Sequence, residues 1–175
     1  MILIVAGVSG SGKTTVGTLV AARLHWPFAD ADSFHSPANV AKMHAGIPLT
    51  DEDRWPWLLV IAEWMDDYIA RGESAVLTCS GLKRSYRDLL LDGRPDARMA
   101  FLNVGPGEID RRLGRREHHF FPEELAGSQF ELLEPPQPDE RSVTVVPAGD
   151  LEDTVTAIVG MAPACALGGD HEAQA

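Results

Sequence analysis

The chain has 175 residues, of which 45% are hydrophobic and 23% are charged, so it can bury one substantial core and is not a disordered chain. Its formal net charge of -11 repels a phosphate backbone, and we expect no nucleic acid partner. The apolar start, residues 1–8, is too short for a signal segment or a membrane-spanning helix, so we expect no membrane partner. The two cysteines, Cys79 and Cys165, form no disulfide framework, which favours the cytoplasm.

Five short apolar segments alternate with segments of helical periodicity. The apolar segments predict strands buried on both faces, at residues 2–6, 27–30, 75–79, 99–104 and 143–146. Helices are predicted at residues 14–24, 57–69, 86–91, 108–115 and 151–159, with Pro56 in the first turn of the second one. This alternation predicts an α/β fold, a three-layer α/β/α arrangement around a five-stranded parallel sheet. We expect one domain over residues 1–162 and a flexible tail over residues 163–175.

The strongest motif follows the first predicted strand and opens the first predicted helix. It reads GVSGSGKT over residues 7–14 and matches the phosphate loop of P-loop proteins in the required context. Its glycines would let backbone N–H groups point at a polyphosphate, Lys13 would reach the outer phosphates, and Thr14 would take Mg²⁺. We therefore expect ATP and Mg²⁺ as cofactors. The predicted ATP-binding residues of this segment are Gly7, Ser9, Gly10, Ser11, Gly12, Lys13, Thr14 and Thr15.

The loop leaves alternatives open. A glycine-rich turn with no ligand is one, and the motif alone does not separate a kinase from a GTPase, an ATPase or a nucleotide-gated switch. The sequence contains no N-K-x-D tetrapeptide, the pattern that reads guanine, which disfavours a GTPase. The remainder of the chain has to identify the acceptor.

Two carboxylates, Asp30 and Asp32, lie at the end of the second predicted strand, where a parallel sheet presents its ligand crevice. A carboxylate there could accept the proton of an acceptor hydroxyl or hold Mg²⁺ through water. Phosphoryl transfer depends mainly on positioning and charge stabilisation, so one such base suffices. The alternative is that Asp32 or Ser33 caps a following helix.

At these residues the chain resembles the gluconokinases, a family of P-loop small-molecule kinases. The particular motifs are DADSFH at residues 30–35, PLTDEDRWPWL at residues 48–58, CSGLKRSYRD at residues 79–88 and SQFELLEP at residues 128–135. The resemblance extends over roughly residues 1 to 160. It implies a homodimeric enzyme that phosphorylates D-gluconate on its terminal hydroxyl, giving 6-phosphogluconate.

A gluconate pocket needs cations for one carboxylate and hydrogen-bonding groups for several hydroxyls. The expected substrate-binding residues are Asp32, His35, Lys42, Arg54, Ser80, Lys83, Arg84, Arg87 and His119, the last implied by the resemblance alone. Any single Arg or Lys could equally be a solvated surface residue, and His35 could merely start a helix. The tryptophans at positions 55, 57 and 64 favour core or interface packing, and Cys79 favours packing over nucleophilic chemistry.

A lid is expected at about residues 112–135, because this class of kinase carries a small helical lid and Arg111, Arg112, Arg115 and Arg116 gather there. Such arginines would stabilise charge on the transferring group. We expect Arg112 and Arg116 to contact ATP, with Lys13, Asp32 and Arg116 as the catalytic residues. The alternative is a basic helical face that balances an acidic protein. Relatives usually have a glycine before the His-Phe pair, whereas this chain has Glu117-His118 there.

Three hypotheses follow. The first is an ATP-dependent gluconate kinase. The second is another small-molecule kinase of similar architecture that acts on shikimate or a nucleotide. The third is a nucleotide-binding switch without transfer chemistry, which would bind ATP but show no acceptor-stimulated ADP release.

Overall fold

A computed structural model describes residues 1–113, 129–140, 142–147 and 149–163, without the side chains of residues 110, 112 and 113. Five parallel strands form one sheet in the order β2-β3-β1-β4-β5. They are β1 (Ile2–Ala6), β2 (Phe28–Asp30), β3 (Ala75–Cys79), β4 (Ala97–Asn103) and β5 (Val143–Pro147). The predicted α/β class and the five-stranded parallel sheet are confirmed.

Six α-helices connect or flank these strands in the described part of the chain. They are α1 (Lys13–Leu24), α2 (Pro37–His44), α3 (Asp51–Ala70), α4 (Arg84–Leu91), α5 (Pro106–Leu113) and α6 (Leu151–Val159), and a 3-10 helix covers Ala31–Phe34. Residues 129–132 are also helical. No helix among these described residues is both long and apolar enough to cross a membrane.

The alternation of side chains along β1 divides the core into two clusters, one on each face of the sheet. Leu3 and Val5 face one cluster, which α1 and α6 cover, and Ile2, Ile4 and Ala6 face the other, which α3 and α4 cover. All five side chains are fully buried. Burial of each large aliphatic side chain stabilises the fold by about 1.5–3 kcal/mol. A strand buried on both faces explains why the sequence of β1 is a continuous apolar run.

The strand order positions the candidate site. From β1 the chain builds β2 and β3 on one side, and it then crosses to build β4 and β5 on the other. A parallel sheet binds its ligands outside the carboxyl ends of the strands, where the order reverses. The loop after β1, the acidic residues after β2 and Ser80 after β3 therefore meet at one edge.

The start of α3 differs from the prediction. The helix begins at Asp51, six residues before the predicted start, and Pro56 is its sixth residue rather than part of the first turn. A capping box explains the early start, because the Thr50 side chain accepts the Asp53 N–H while the Asp53 carboxylate accepts the Thr50 N–H. The prediction also lacked α2 and the 3-10 helix, which are short and carry little apolar periodicity.

Several predicted features lie outside the described residues. These are most of the lid expected at residues 112–135, the tail beyond residue 163, and the side chains of Arg112, Arg115, Arg116, His118, His119 and Cys165. The other cysteine, Cys79, is a buried free thiol. Burial raises its pKa to about 12, which agrees with a packing role.

Candidate active site

The phosphate loop joins β1 to α1 through a backbone that needs its glycines. Gly7, Gly10 and Gly12 have φ angles of 144°, 80° and 95°, which L side chains rarely adopt. A Cβ on Gly7 would lie 2.9 Å from the Ser11 Oγ and 3.0 Å from the Leu102 carbonyl oxygen. The loop is therefore a tight turn that leads into the N-terminus of α1. Backbone N–H groups in such a turn suit binding of a phosphate group.

Lys13, the first residue of α1, extends back over this loop. Its Nζ donates to the Val8 carbonyl oxygen at 3.0 Å, and the residue is half-buried. Desolvation lowers the pKa of the ammonium group, while the nearby carboxylates of Asp32 and Asp30 act in the opposite direction. A partly desolvated ammonium beside a ring of N–H groups is a favourable partner for a phosphate oxygen.

The two predicted carboxylates have different surroundings. Asp30 caps the 3-10 helix, since its Oδ1 accepts the Asp32 N–H at 3.1 Å, and its Oδ2 accepts the Thr14 hydroxyl at 3.2 Å. Asp32 makes neither contact and lines the pocket beside Lys13. Restricted hydration in the cleft raises the pKa of the Asp32 carboxyl, and Lys13 counteracts that rise. The capping role considered for Asp32 therefore belongs to Asp30.

One pocket brings together a subset of the predicted residues. Its walls include Ser9, Lys13, Asp32, His35, Arg54 and Ser80. These residues come from the phosphate loop, the segment after β2, the first turns of α3 and the segment after β3. The pocket thus connects a phosphate-binding loop to a basic residue and a carboxylate, as transfer of a phosphoryl group to a small anion requires.

Arg54 supplies a positive charge to this pocket from the first turn of α3. The residue is only 8% exposed, and its Nε donates to the Leu49 carbonyl oxygen at 3.2 Å. No carboxylate of the described residues forms a salt bridge with it. A buried guanidinium without a carboxylate partner favours binding of an anionic ligand.

His35 forms a neutral wall of the same pocket. Its ring stacks on Trp57 with the centroids 4.3 Å apart and an angle of 15° between the planes. Its Nδ1 lies 3.4 Å from the Asn39 Nδ2. Burial, and then the charge of Arg54, lower the pKa of His35 to about 4. The imidazole is therefore neutral near pH 7 and can hydrogen-bond a hydroxyl group.

Trp57 has a double role that its sequence context did not reveal. It packs in the core cluster under α3, as predicted, and also lines the pocket. Its Nε1 donates to the Ala31 carbonyl oxygen at 2.7 Å, which fixes the indole against the segment that carries Asp32. Trp57 thereby holds both His35 and the acidic segment in place.

Three predicted substrate cations pair with carboxylates instead of lining the pocket. Lys42 Nζ lies 2.6 Å and 2.8 Å from the two Asp53 carboxylate oxygens. Lys83 Nζ donates to both oxygens of Asp51 at 2.8 Å. The Arg84 guanidinium contacts both oxygens of Asp139 at 2.8 Å and 3.2 Å. Each charge is compensated within the fold.

Arg87 requires a correction, because its position contradicts the predicted substrate contact. The side chain is fully buried, and its Nε and Nη2 contact the two Glu140 carboxylate oxygens at 2.6 Å and 2.8 Å. Its Nη1 donates to the carbonyl oxygens of Gly81, Leu82 and Glu134. A guanidinium whose three nitrogens are all engaged inside the protein has a structural role, and no substrate can reach it.

Gln129, for which no role is predicted from the sequence, lies in the pocket. The Gln129 Oε1 accepts the Ser9 N–H at 2.7 Å. The only signal was its position in the SQFELLEP motif. Of the remaining predicted residues, Thr14 and Thr15 are exposed at the start of α1, whereas Arg116 and His119 and the side chain of Arg112 lie outside the described part of the chain.

Comparison with known proteins agrees with this arrangement. The shikimate kinase family model matches residues 9–124. A gluconokinase of Gluconobacter oxydans is 48% identical over 82% of this chain and 80% of its own length. The thermosensitive gluconokinase of Escherichia coli is 44% identical over 80% of this chain and 75% of its own length.

Solved structures lead to the same group. The crystal structure of a gluconokinase from Sinorhizobium meliloti superposes with a TM-score of 0.80 at 40% identity, over 90% of this chain and 89% of that one. The shikimate kinase match reflects the P-loop kinase core that the two groups share, and the close relatives carry the narrower assignment. On this identity and coverage, the chain belongs to the gluconokinase family.

Proposed function

We propose that the chain transfers the terminal phosphoryl group of ATP to D-gluconate and forms 6-phosphogluconate. The observation that supports this function best is the single pocket that joins Ser9 and Lys13 of the phosphate loop to Asp32 and Arg54. Gluconokinases at 38–48% identity support the same acceptor.

The transfer step follows from the residues that face each other in the pocket. Asp32 accepts the proton of the terminal hydroxyl as that oxygen attacks the terminal phosphorus of ATP. One P–O bond forms to gluconate, and the bond between the terminal phosphorus and the bridging oxygen breaks, which releases ADP. Lys13 stabilises the negative charge on the phosphate oxygens. A raised pKa makes the Asp32 carboxylate a better proton acceptor than an ordinary aspartate.

Arg54 and His35 orient the acceptor. The Arg54 guanidinium binds the gluconate carboxylate, since it is buried and has no carboxylate partner among the described residues. His35, neutral near pH 7, lines the same pocket and hydrogen-bonds a hydroxyl group of the acceptor. Ser80 adds a hydroxyl to the pocket lining. The pocket therefore recognises a polyhydroxylated monoanion.

Magnesium fits beside the phosphate loop. The Thr14 hydroxyl and the Asp30 carboxylate lie next to each other, with their oxygens 3.2 Å apart. Such hard oxygen donors suit Mg²⁺. We propose that these two residues hold the ion, which would neutralise charge on the ATP phosphates. Asp30 rather than Asp32 takes this role because Asp32 faces the acceptor.

The remaining expectations stay as proposals. Arg112 and Arg116 would contact ATP from a lid at about residues 112–135, and His119 would contact gluconate. A single domain over residues 1–162, a flexible tail, a cytoplasmic location and a homodimer are further proposals, of which the family resemblance supports the homodimer. Light scattering on the purified protein measures the oligomeric state directly.

The test of the acceptor is a coupled assay of ADP release with Mg-ATP. The panel contains gluconate, related sugar acids, shikimate, glucose and nucleoside monophosphates. We expect turnover with gluconate and no turnover in the Lys13→Ala variant. Turnover with shikimate alone would assign the chain to the second kinase hypothesis, and ATP binding without any acceptor-stimulated turnover would favour the switch.

The role of Arg54 gives a sharper prediction. Replacement by glutamine should raise KM for gluconate about 30-fold or more, because a buried charged hydrogen bond to the carboxylate is lost, and should leave ATP affinity within about threefold. The matched control is Lys42→Gln, which removes a cation that Asp53 already neutralises. Equal effects of the two substitutions on KM would contradict the assignment of Arg54.

A further inference from the structure

The side chain of Gln129 accepts a hydrogen bond from an N–H group of the phosphate loop. The Ser9 N–H, which belongs to the loop between β1 and α1, donates to the Gln129 Oε1 at 2.7 Å in a partly buried contact between residues 120 positions apart in sequence. The carboxamide oxygen takes the place of a phosphate oxygen, which would accept a hydrogen bond from the same N–H group. One N–H cannot make a full hydrogen bond to both, so the two acceptors compete.

The contact lies on the acceptor side of the loop. Ser9 and Gln129 line the pocket that also contains Asp32 and Arg54. The phosphate that moves to the acceptor must lie between the nucleotide site and that pocket. Gln129 is therefore placed to meet the terminal phosphate of ATP and not the two phosphates that remain on ADP.

The residues that follow Gln129 contact the rest of the protein. The Glu134 N–H donates to the Leu82 carbonyl oxygen at 2.9 Å, and the Glu134 carbonyl oxygen accepts from Arg87 Nη1 at 3.0 Å. Phe130 packs against the core cluster under α1 and α6. These contacts fix the helical residues 129–132 next to the pocket, so that the Gln129 side chain can change partners while its backbone stays in place.

We propose that Gln129 is a positioning residue for the terminal phosphate of ATP. Its carboxamide oxygen holds the Ser9 N–H when no phosphate is present. When the terminal phosphate takes that N–H, the carboxamide turns and donates from its Nε2 to a phosphate oxygen. A neutral amide suits this exchange because it carries both an acceptor and a donor and adds no charge beside the phosphates.

The experiment compares two nucleotides on the full chain, and it rests on the nucleotide site of the proposed function. Calorimetry measures the Kd of a non-hydrolysable ATP analogue and of ADP, each with Mg²⁺, for wild type and for Gln129→Glu. We expect about tenfold or more weaker binding of the ATP analogue, since the new carboxylate repels the terminal phosphate, and less than about threefold weaker binding of ADP. Equal weakening of both nucleotides, or of neither, would overturn the proposal.

Two further variants separate the causes. Gln137→Glu makes the same chemical change at an exposed glutamine outside the pocket lining, and both Kd values should match wild type. Gln129→Met keeps the length without the amide and should lower kcat about tenfold with ADP affinity unchanged. A wild-type kcat in this variant would also overturn the proposal. Absence of nucleotide binding in wild type would instead contradict the proposed function itself.

Discussion

Asp30 and Asp32 are two positions apart, yet their side chains meet different partners. Asp30 accepts from the Thr14 hydroxyl and from the Asp32 N–H, so its carboxylate is held beside Thr14, the other residue proposed to bind Mg²⁺. Asp32 instead faces Lys13 and the pocket, where restricted hydration raises the pKa of its carboxyl. Asp30 is therefore the better candidate for binding Mg²⁺, and Asp32 is the better candidate for accepting a proton. The surroundings of each carboxylate, and not the residue type, make this difference.

The first prediction tests this division. Asp32→Asn should lower kcat by about 10²- to 10⁴-fold, because the asparagine cannot accept the hydroxyl proton, and should leave ATP affinity within about threefold. The contrasting variant is Asp30→Asn, which should raise the Mg²⁺ concentration needed for half-maximal rate. An unchanged kcat in Asp32→Asn would leave Asp32 without a part in catalysis.

The pH dependence follows from the same pKa shift. In its proposed role as the base, Asp32 must be deprotonated, so activity should fall as pH decreases through the pKa of Asp32. Because that pKa is raised above the ordinary value of 3.8, the acidic limb of the kcat profile should lie above the range of a normal aspartate. The residual activity of Asp32→Asn should lack this acidic limb. If the variant and the wild type show the same limb, the limb reports the titration of another group.

At the scale of elements, α3 positions the acceptor side through its first turn. The Thr50 and Asp53 capping box starts the helix, and Arg54 follows it directly. Asp51 accepts from Lys83 and from the Tyr86 hydroxyl, the latter at 2.6 Å, which ties the same turn to the start of α4. The N–H groups that a helix start leaves unpaired are thus partly satisfied, and Arg54 stands on a fixed turn.

The capping box supports a second prediction. Thr50→Ala should destabilise the protein by about 1 kcal/mol, since the cap to the Asp53 N–H is lost, which lowers Tm by about 2–4 °C in a domain of this size. KM for gluconate should rise as well, because Arg54 lies in the frayed turn. Thr50→Ser keeps the hydroxyl and should restore both values. If neither substitution changes KM for gluconate, the Thr50 cap does not contribute to gluconate binding.

At the scale of the whole molecule, the Arg87–Glu140 ion pair joins distant segments. Arg87 on α4 and Glu140 before β5 are both buried, and Arg87 also contacts the carbonyl oxygens of Gly81, Leu82 and Glu134. The segment after β3, which carries Ser80, is thereby held against residues 134–140. The arrangement keeps one wall of the pocket in place.

The third prediction concerns this ion pair. Arg87→Met should lower the free energy of unfolding by about 3–5 kcal/mol, because it leaves the Glu140 carboxylate buried without its partner. Urea denaturation monitored by fluorescence measures the change. The double variant Arg87→Met/Glu140→Leu should recover part of the loss, since no unpaired charge remains. If Arg87→Met instead raises KM for gluconate strongly and leaves the free energy of unfolding unchanged, Arg87 binds substrate and has no structural role.

Much of the fold could be derived from the sequence because its signals are local. The continuous apolar run of β1, the phosphate loop directly after it and the opening of α1 lie within about 25 consecutive residues, and the structure has them where they were predicted. The start of α3 was also encoded locally, in Thr50-x-x-Asp53. Pro56 conceals this start, because a proline favours the first turn of a helix and therefore predicts a start close to residue 56.

The sequence by itself determined the sheet, the phosphate loop and the family, since each depends on residue order and spacing along the chain. It also named five candidate cations for the acceptor but could not rank them. The carboxylate partners of Lys42, Lys83, Arg84 and Arg87 lie 11, 32, 55 and 53 positions away in sequence. Only the tertiary structure brings such pairs together, and by neutralising those four charges it leaves Arg54 as the one of the five candidates that is buried and lines the pocket.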